Sequence, residues 1–166
     1  MLHIVTGCMF AGKTTELTCV YDTIDQTKYQ VIVLDYYTET IDYDILVTHD
    51  GKSIKCRKIQ QLYCLDYKPY DIILINEAQF FTGLKDFVVE ALKQNKTIYL
   101  FGLDGDFKQE KFGELIELLP MADTYKKLYA TCACGAKASF SKRLSNDLTQ
   151  YKPHDTYIPV CRACLS

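Results

Sequence analysis

The chain lacks any long apolar run. Its longest stretch free of Asp, Glu, Lys and Arg is Met1 to Gly12, shorter than the ~17 residues that a membrane helix needs. That stretch also lacks the basic start of a secretory signal. The sequence carries no internal repeat and no low-complexity segment. Its 166 residues, 48% hydrophobic and 24% charged, suit one globular domain with a real core or one domain plus a small appendage. A soluble intracellular protein of the cytoplasm is expected, with no membrane association, and its eight cysteines then read as thiols or metal ligands rather than disulfides.

The net charge of −2 conceals an asymmetry. Met1 to Tyr125 holds 12 basic against 19 acidic residues, and Lys126 to Ser166 holds 7 against 2. That shift marks a boundary, with one domain over 1–125 and a basic module over 126–166. The seven basic residues are scattered without a run, which argues against a nucleic-acid tail and for a module beside a phosphorylated ligand.

Residues 7 to 14 read Gly-Cys-Met-Phe-Ala-Gly-Lys-Thr, the G-x-x-x-x-G-K-[ST] phosphate loop. They follow a short apolar run, Leu2-His3-Ile4-Val5, that predicts a buried strand, and precede Thr15 to Tyr21, which lack Gly and Pro as a helix should. Gly7 and Gly12 should let the backbone N–H groups of Cys8, Met9, Phe10, Ala11 and Thr15 converge on phosphate oxygens. Lys13 adds a positive charge and Thr14 a hydroxyl for Mg²⁺. A nucleoside triphosphate such as ATP is the implied ligand.

Three further buried strands are predicted at Tyr29–Asp35, Asp71–Asn76 and Lys96–Asp104, and a helix at Leu84–Gln94 with Phe87, Val88, Ala91 and Leu92 on its core face. The alternation argues for an α/β fold with a mainly parallel sheet of the P-loop type. Asp50-Gly51, between Ile45–Thr48 and Ser53–Cys56, signals a hairpin that would form a flap beside the nucleotide.

The third strand ends in Asn76-Glu77. Ligands of open α/β sheets lie at the carboxyl ends of the strands, so Glu77 should stand near Lys13 and Thr14. It is the candidate general base for a hydroxyl attacking a γ-phosphate; a solvated acid at a strand end is the other reading. Asn76 occupies a position where an acid normally serves Mg²⁺, and an amide brings no charge. In the tail, Cys132-Ala133-Cys134 and Cys161-Arg162-Ala163-Cys164 lie 26 residues apart. Four soft thiolates in two close pairs suit tetrahedral zinc closing an otherwise core-poor loop, with free thiols as the alternative. Cys8, Cys19, Cys56 and Cys64 lack such pairing, and those inside strands and helices are assigned to core packing.

Taken together, residues 7–17, Asn-Glu-Ala-Gln-Phe-Phe at 76–81, Leu-Asp-Gly-Asp-Phe-Lys-Gln-Glu-Lys-Phe-Gly at 103–113, Ser-Lys-Arg-Leu at 141–144 and the four cysteines resemble the type II thymidine kinases, in one order over almost the whole chain. The resemblance implies a RecA-like nucleotide-binding domain and a small zinc domain whose lasso loop covers the nucleoside. It implies transfer of the ATP γ-phosphate to the 5′-hydroxyl of thymidine, assembly as a homotetramer and feedback inhibition by thymidine triphosphate. Carried over by motif, Glu77 deprotonates the sugar hydroxyl, Met9, Phe80, Leu103, Phe107 and Phe112 wall the base pocket, and Ser141 and Tyr157 close over base and sugar. Lys142 and Arg143 are either triphosphate or surface contacts. Three departures stand out: Asn76 replaces the family's Asp, Glu39-Thr40-Ile41 replaces an Asp-Thr-Arg segment, and the first cysteine pair is one residue shorter. A different class of function fits the same motifs: a nucleotide-binding protein, ATPase or degenerate kinase whose zinc module contacts a protein or nucleic acid.

Overall fold

The structure, a computed structural model, describes residues 1–37, 45–48, 51–152 and 155–165. His49, Asp50 and the Glu39-Thr40-Ile41 segment lie outside the described residues. In chain order the elements are β1 (Leu2–Gly7), α1 (Lys13–Thr23), β2 (Val31–Tyr36), β3 (Ile45–Val47), β4 (Ser53–Lys55), β5 (Arg57–Ile59), β6 (Ile72–Asn76), α2 (Leu84–Lys93), β7 (Thr97–Gly102) and β8 (Thr124–Leu128). The short strands β9 (Ala130–Thr131), β10 (Lys137–Ala138), β11 (Phe140–Arg143) and β12 (Tyr157–Val160) and the one-turn α3 (Arg162–Leu165) follow.

Six strands form one sheet in the order β5-β2-β6-β7-β1-β8, and every neighbouring pair in it is parallel. The α/β expectation therefore holds. Parallel strands need both faces covered, and that is why β6 reads as an unbroken apolar run, Ile72-Ile73-Leu74-Ile75-Asn76, buried throughout. On one face, α2 presents Leu84, Val88 and Ala91 to Leu2, Ile4, Ile73, Ile75, Ile98 and Leu100, with Leu115 and Leu118 of a 3-10 segment beside them. On the other, Leu17 of α1 packs with Val5, Val33, Leu74 and Phe101. The β3–β4 hairpin adds Leu46 and Ile54 to that second layer, and Lys52 in its turn pairs with Asp22 of α1.

Two strands of the sheet were not legible as strands. β5, only Arg57–Ile59, pairs with β2 at one edge, in the stretch read as part of the hairpin region. β8, Thr-Tyr-Lys-Lys-Leu, pairs with β1 at the other edge. Long-range bonds hold it there: the Leu2 N–H donates to Asp123 Oδ2 at 2.6 Å, His3 Nδ1 meets Thr124 Oγ1 at 2.8 Å and Thr6 Oγ1 meets the Tyr125 hydroxyl at 2.9 Å. The charge shift at residue 125 falls within β8. Among the described residues no helix is long and apolar enough to cross a membrane.

Candidate functional site

The carboxyl ends of β1, β2, β6 and β7 bring the phosphate loop, Asp35, Asn76-Glu77 and Leu103-Asp104 to one rim. Gly12 takes φ +83° immediately before α1 and supplies no capping side chain, so the first N–H groups of the helix face the loop as an anion site. Gly7 serves a different end from the expected turn. It has no positive φ, and a Cβ there would stand 2.8 Å from the Leu128 carbonyl of the neighbouring strand. Lys13 is buried, and its Nζ donates to the Cys8 carbonyl of its own loop at 2.8 Å. Burial lowers the lysine's proton affinity, and the charge of Glu77 opposes that shift. Thr14 and Thr15 follow on the first turn of α1, Phe10 points outward, 54% exposed, and the Met9 N–H donates to Ser141 Oγ at 2.9 Å. The loop is thus tied directly to β11.

Glu77 turns the chain out of β6 in the left-handed region, φ 51° and ψ 41°, a conformation that costs a non-glycine residue of order 1 kcal/mol and is held by its surroundings. Gln79 does much of the holding. Its Nε2 donates to Glu77 Oε2 at 2.7 Å, while its Oε1 accepts the Leu103 N–H at 3.0 Å. One buried amide therefore fixes the carboxylate relative to the end of β7. Asn76 points elsewhere: its Nδ2 donates to Asp35 Oδ1 at 2.8 Å, across the register pair that joins β2 and β6. Asp35 is itself buried, and burial raises its carboxyl above the usual range, with the Asn76 amide and the Lys58 charge opposing and Glu77 adding to the rise. Asp104 is committed to Lys127 at 2.5 Å. Both acids that could stand in for a carboxylate at position 76 are therefore already engaged.

Beside this rim lies a largely apolar hollow lined by Met9, Leu103, Phe107, Phe112, Ser141 and Tyr157, with Gly105, Asp106, Gln150 and Tyr151 also in its wall. Phe80 stands behind that lining, its ring 5.2 Å from Phe112 and 4.6 Å from Tyr151. Arg143 corrects its expected role. It is neither at the surface nor free for a triphosphate: buried, it donates to the carbonyls of Asp147 at 2.8 Å, Thr149 at 2.5 Å and Gln150 at 3.4 Å, and to the Tyr157 hydroxyl. Its guanidinium also lies over the Phe107 ring at 4.1 Å and pairs with Asp155 at 3.2 Å. The lasso between β11 and β12 is thus wound around one cation, and Gln150 fastens it to the core through Asp106 Oδ2 at 2.9 Å and the Lys111 carbonyl at 3.1 Å. Lys142 donates to the Cys164 carbonyl at 3.3 Å.

Cys132, Cys134, Cys161 and Cys164 place their sulfurs within 4.8 Å of one another. Tetrahedral zinc with Zn–S of about 2.3 Å requires sulfur separations near 3.8 Å, so the donor set and its spacing fit that ion. The short Cys-x-Cys pair closes because it sits in the turn of the β9–β10 hairpin, where the Cys132 N–H donates to the Ala136 carbonyl at 2.9 Å and the Gly135 N–H to the Cys132 carbonyl at 2.8 Å. Of the other cysteines, Cys56 is buried as expected and Cys8 of the phosphate loop is buried as well, whereas Cys19 of α1, expected in the core, and Cys64 are exposed.

Comparison with known proteins bears directly on this arrangement. Residues 1–165 match the family profile described as thymidine kinase. The chain belongs to the thymidine kinase family. A thymidine kinase of Oryza sativa subsp. japonica is 36% identical over 97% of this chain and 64% of its own length. Thymidine kinase 1 of Dictyostelium discoideum is 34% identical over 98% of this chain and 76% of its own, and the thymidine kinase of Yaba monkey tumor virus (strain VR587) 33% identical over 98% and 93%. This family member therefore spans a little under two thirds of the rice protein. Nothing in the sequence signalled Gln150 and Tyr151, Gln79 stood only as a motif letter without a task, and the buried role of Arg143 was not legible.

Proposed function

We propose that this chain transfers the γ-phosphate of ATP to the 5′-hydroxyl of thymidine, giving thymidine monophosphate and ADP, with deoxyuridine as a second acceptor. The observation that supports the reading is Glu77, its carboxylate held by Gln79 at 2.7 Å and its charge felt by the buried phosphate-loop lysine. Lys13 leaves the Cys8 carbonyl for the donor's phosphates, and the open N–H groups of the first α1 turn receive the rest of their charge. Glu77 accepts the proton of the sugar hydroxyl as that oxygen attacks phosphorus. The Thr14 hydroxyl would hold Mg²⁺, which supplies charge neutralisation on the phosphates. Cys132, Cys134, Cys161 and Cys164 would hold structural zinc, and residues 126–166 act as the module that carries the lasso. Met9, Phe80, Leu103, Phe107 and Phe112 face the base, with Ser141 and Tyr157 over base and sugar. A cytoplasmic homotetramer inhibited by thymidine triphosphate completes the proposal.

A lasso that meets the base through backbone carbonyls suits the N3–H of thymine, whereas the bare N3 of cytosine would leave a buried acceptor unpaired. The expected order of kcat/KM is thymidine, then deoxyuridine within about tenfold because one methyl contributes only ~1 kcal/mol, then deoxycytidine far behind. The deciding experiment is ADP formation with and without thymidine. Hydrolysis of ATP at the same rate in both would replace the kinase reading by that of an ATPase or nucleotide-binding protein.

A further inference from the structure

The hollow assigned above to the acceptor is almost full. Its free volume is about 10 Å³, room for one water at most and far too little for a nucleoside. Tyr151 is one of the residues that line it, and it packs its ring against Phe80 at 4.6 Å with the planes 63° apart. Phe80 is braced from behind by Tyr36, stacked at 5.0 Å, and by Phe112, edge-on at 5.2 Å, so the seat is rigid. Tyr151 is held to it by its neighbour: Gln150 is fastened by its side chain to Asp106 and Lys111, and its carbonyl is held by Arg143. Burial pushes the phenol's proton affinity up, and the charges of Glu77 and Tyr157 add to the rise. A planar ring packed on Phe80, a side chain assigned above to the base pocket, stands where the acceptor's own ring is expected. Yet 41% of Tyr151 remains exposed, which leaves the side chain a way out to solvent.

We propose that Tyr151 is the residue that sets acceptor affinity in this chain: it occupies the nucleoside's place in the free protein, and thymidine binds only when the ring swings out. The inference rests on the acceptor reading given above. A seated ring taxes binding by the fraction of molecules in which it is seated. Replacing it with a methyl removes that tax.

Calorimetric titration of thymidine into the full chain, without ATP, compares the wild type with Tyr151→Ala and Tyr151→Phe. The alanine variant should bind about three- to tenfold more tightly, the range an aromatic contact of this geometry supports, and the phenylalanine variant should stay near the wild type. In the free wild type, nuclear Overhauser contacts between the Tyr151 and Phe80 rings should be present and should vanish on saturation with thymidine. Unchanged or weaker binding by the alanine variant, with the wild type binding normally, would overturn the inference alone and make Tyr151 a wall of the occupied pocket. Thymidine binding to none of the three proteins would overturn the acceptor reading and this inference with it. Absence of the ring–ring contact in the free protein would overturn the inference whatever the titrations gave.

Discussion

Placing a carboxylate at position 76 should weaken this protein rather than improve its metal binding. Asn76 Nδ2 donates to Asp35 Oδ1 at 2.8 Å, and the residues are 5% and 9% exposed. Asn76→Asp converts that hydrogen bond into two carboxylates sharing one buried space. Two unit charges about 4 Å apart at an effective dielectric of about 20 repel by ~4 kcal/mol, which either raises the free energy of the fold or is relieved by retaining one proton. The sign of the pH effect follows. Asp35 already has its carboxyl raised by burial, with Asn76 and Lys58 opposing and Glu77 reinforcing, and the second acid raises the shared proton's pKa further. A carboxyl whose folded pKa exceeds its unfolded value stabilises fully below the unfolded value of about 3.9, and loses that contribution as pH rises through the folded value. The variant should therefore match the wild type most closely near pH 4 and fall progressively behind toward pH 8. The deficit there should approach ~4 kcal/mol, or roughly 8 to 15 °C in Tm for a chain of this size. Thermal unfolding from pH 4 to pH 8 reads this directly. Adding Asp35→Asn to the variant exchanges amide and carboxylate across the same β2–β6 pair and should recover most of the loss. A variant as stable as the wild type at pH 8, or a double variant no better than the single, would refute the reasoning.

Other outcomes follow from the remaining contacts. Glu77→Gln keeps the shape and the Gln79 neighbour but not the base, so kcat should fall ~10²- to 10⁴-fold with ATP binding nearly intact; a loss below tenfold would reassign the proton acceptor. Native mass spectrometry of the folded chain should find one zinc, and Cys134→Ser should release it and loosen the tail, whereas a folded zinc-free wild type would count against the metal. Arg143→Lys retains a charge but cannot reach the Asp147, Thr149 and Gln150 carbonyls together. Amide exchange across 144–152 should accelerate at least tenfold while the β6 and β7 amides stay protected, and uniform exchange would mean that the lasso does not depend on this cation.

Much of this molecule is written locally. The strand–loop–helix order around Gly12-Lys13-Thr14, the buried runs that became β2, β6 and β7, the α2 face of Val88 and Ala91, and the spacing of the four cysteines are patterns of near neighbours. Side-chain periodicity and turn chemistry act over a few residues, so a sequence displays them. The edge strands were hidden for the complementary reason. β8 carries Thr124, Tyr125, Lys126 and Lys127, outwardly polar because half of its surroundings is water, and its place depends on Asp123, Thr124 and Tyr125 meeting Leu2, His3 and Thr6 from the far end of the chain. The same holds at the site. Glu77 was identifiable as the acid after a strand, but its orientation by Gln79 against Leu103 required β6 and β7 to lie side by side. Arg143 looked like any basic residue until the fold gathered three lasso carbonyls and an aromatic face around it. Tyr151 looked like a loop tyrosine until that winding set its ring on Phe80. Sequence alone determined the chemistry this chain can carry. Tertiary structure decided which groups are free to perform it, because buried polar groups take their partners from whichever distant segments packing brings within hydrogen-bond reach.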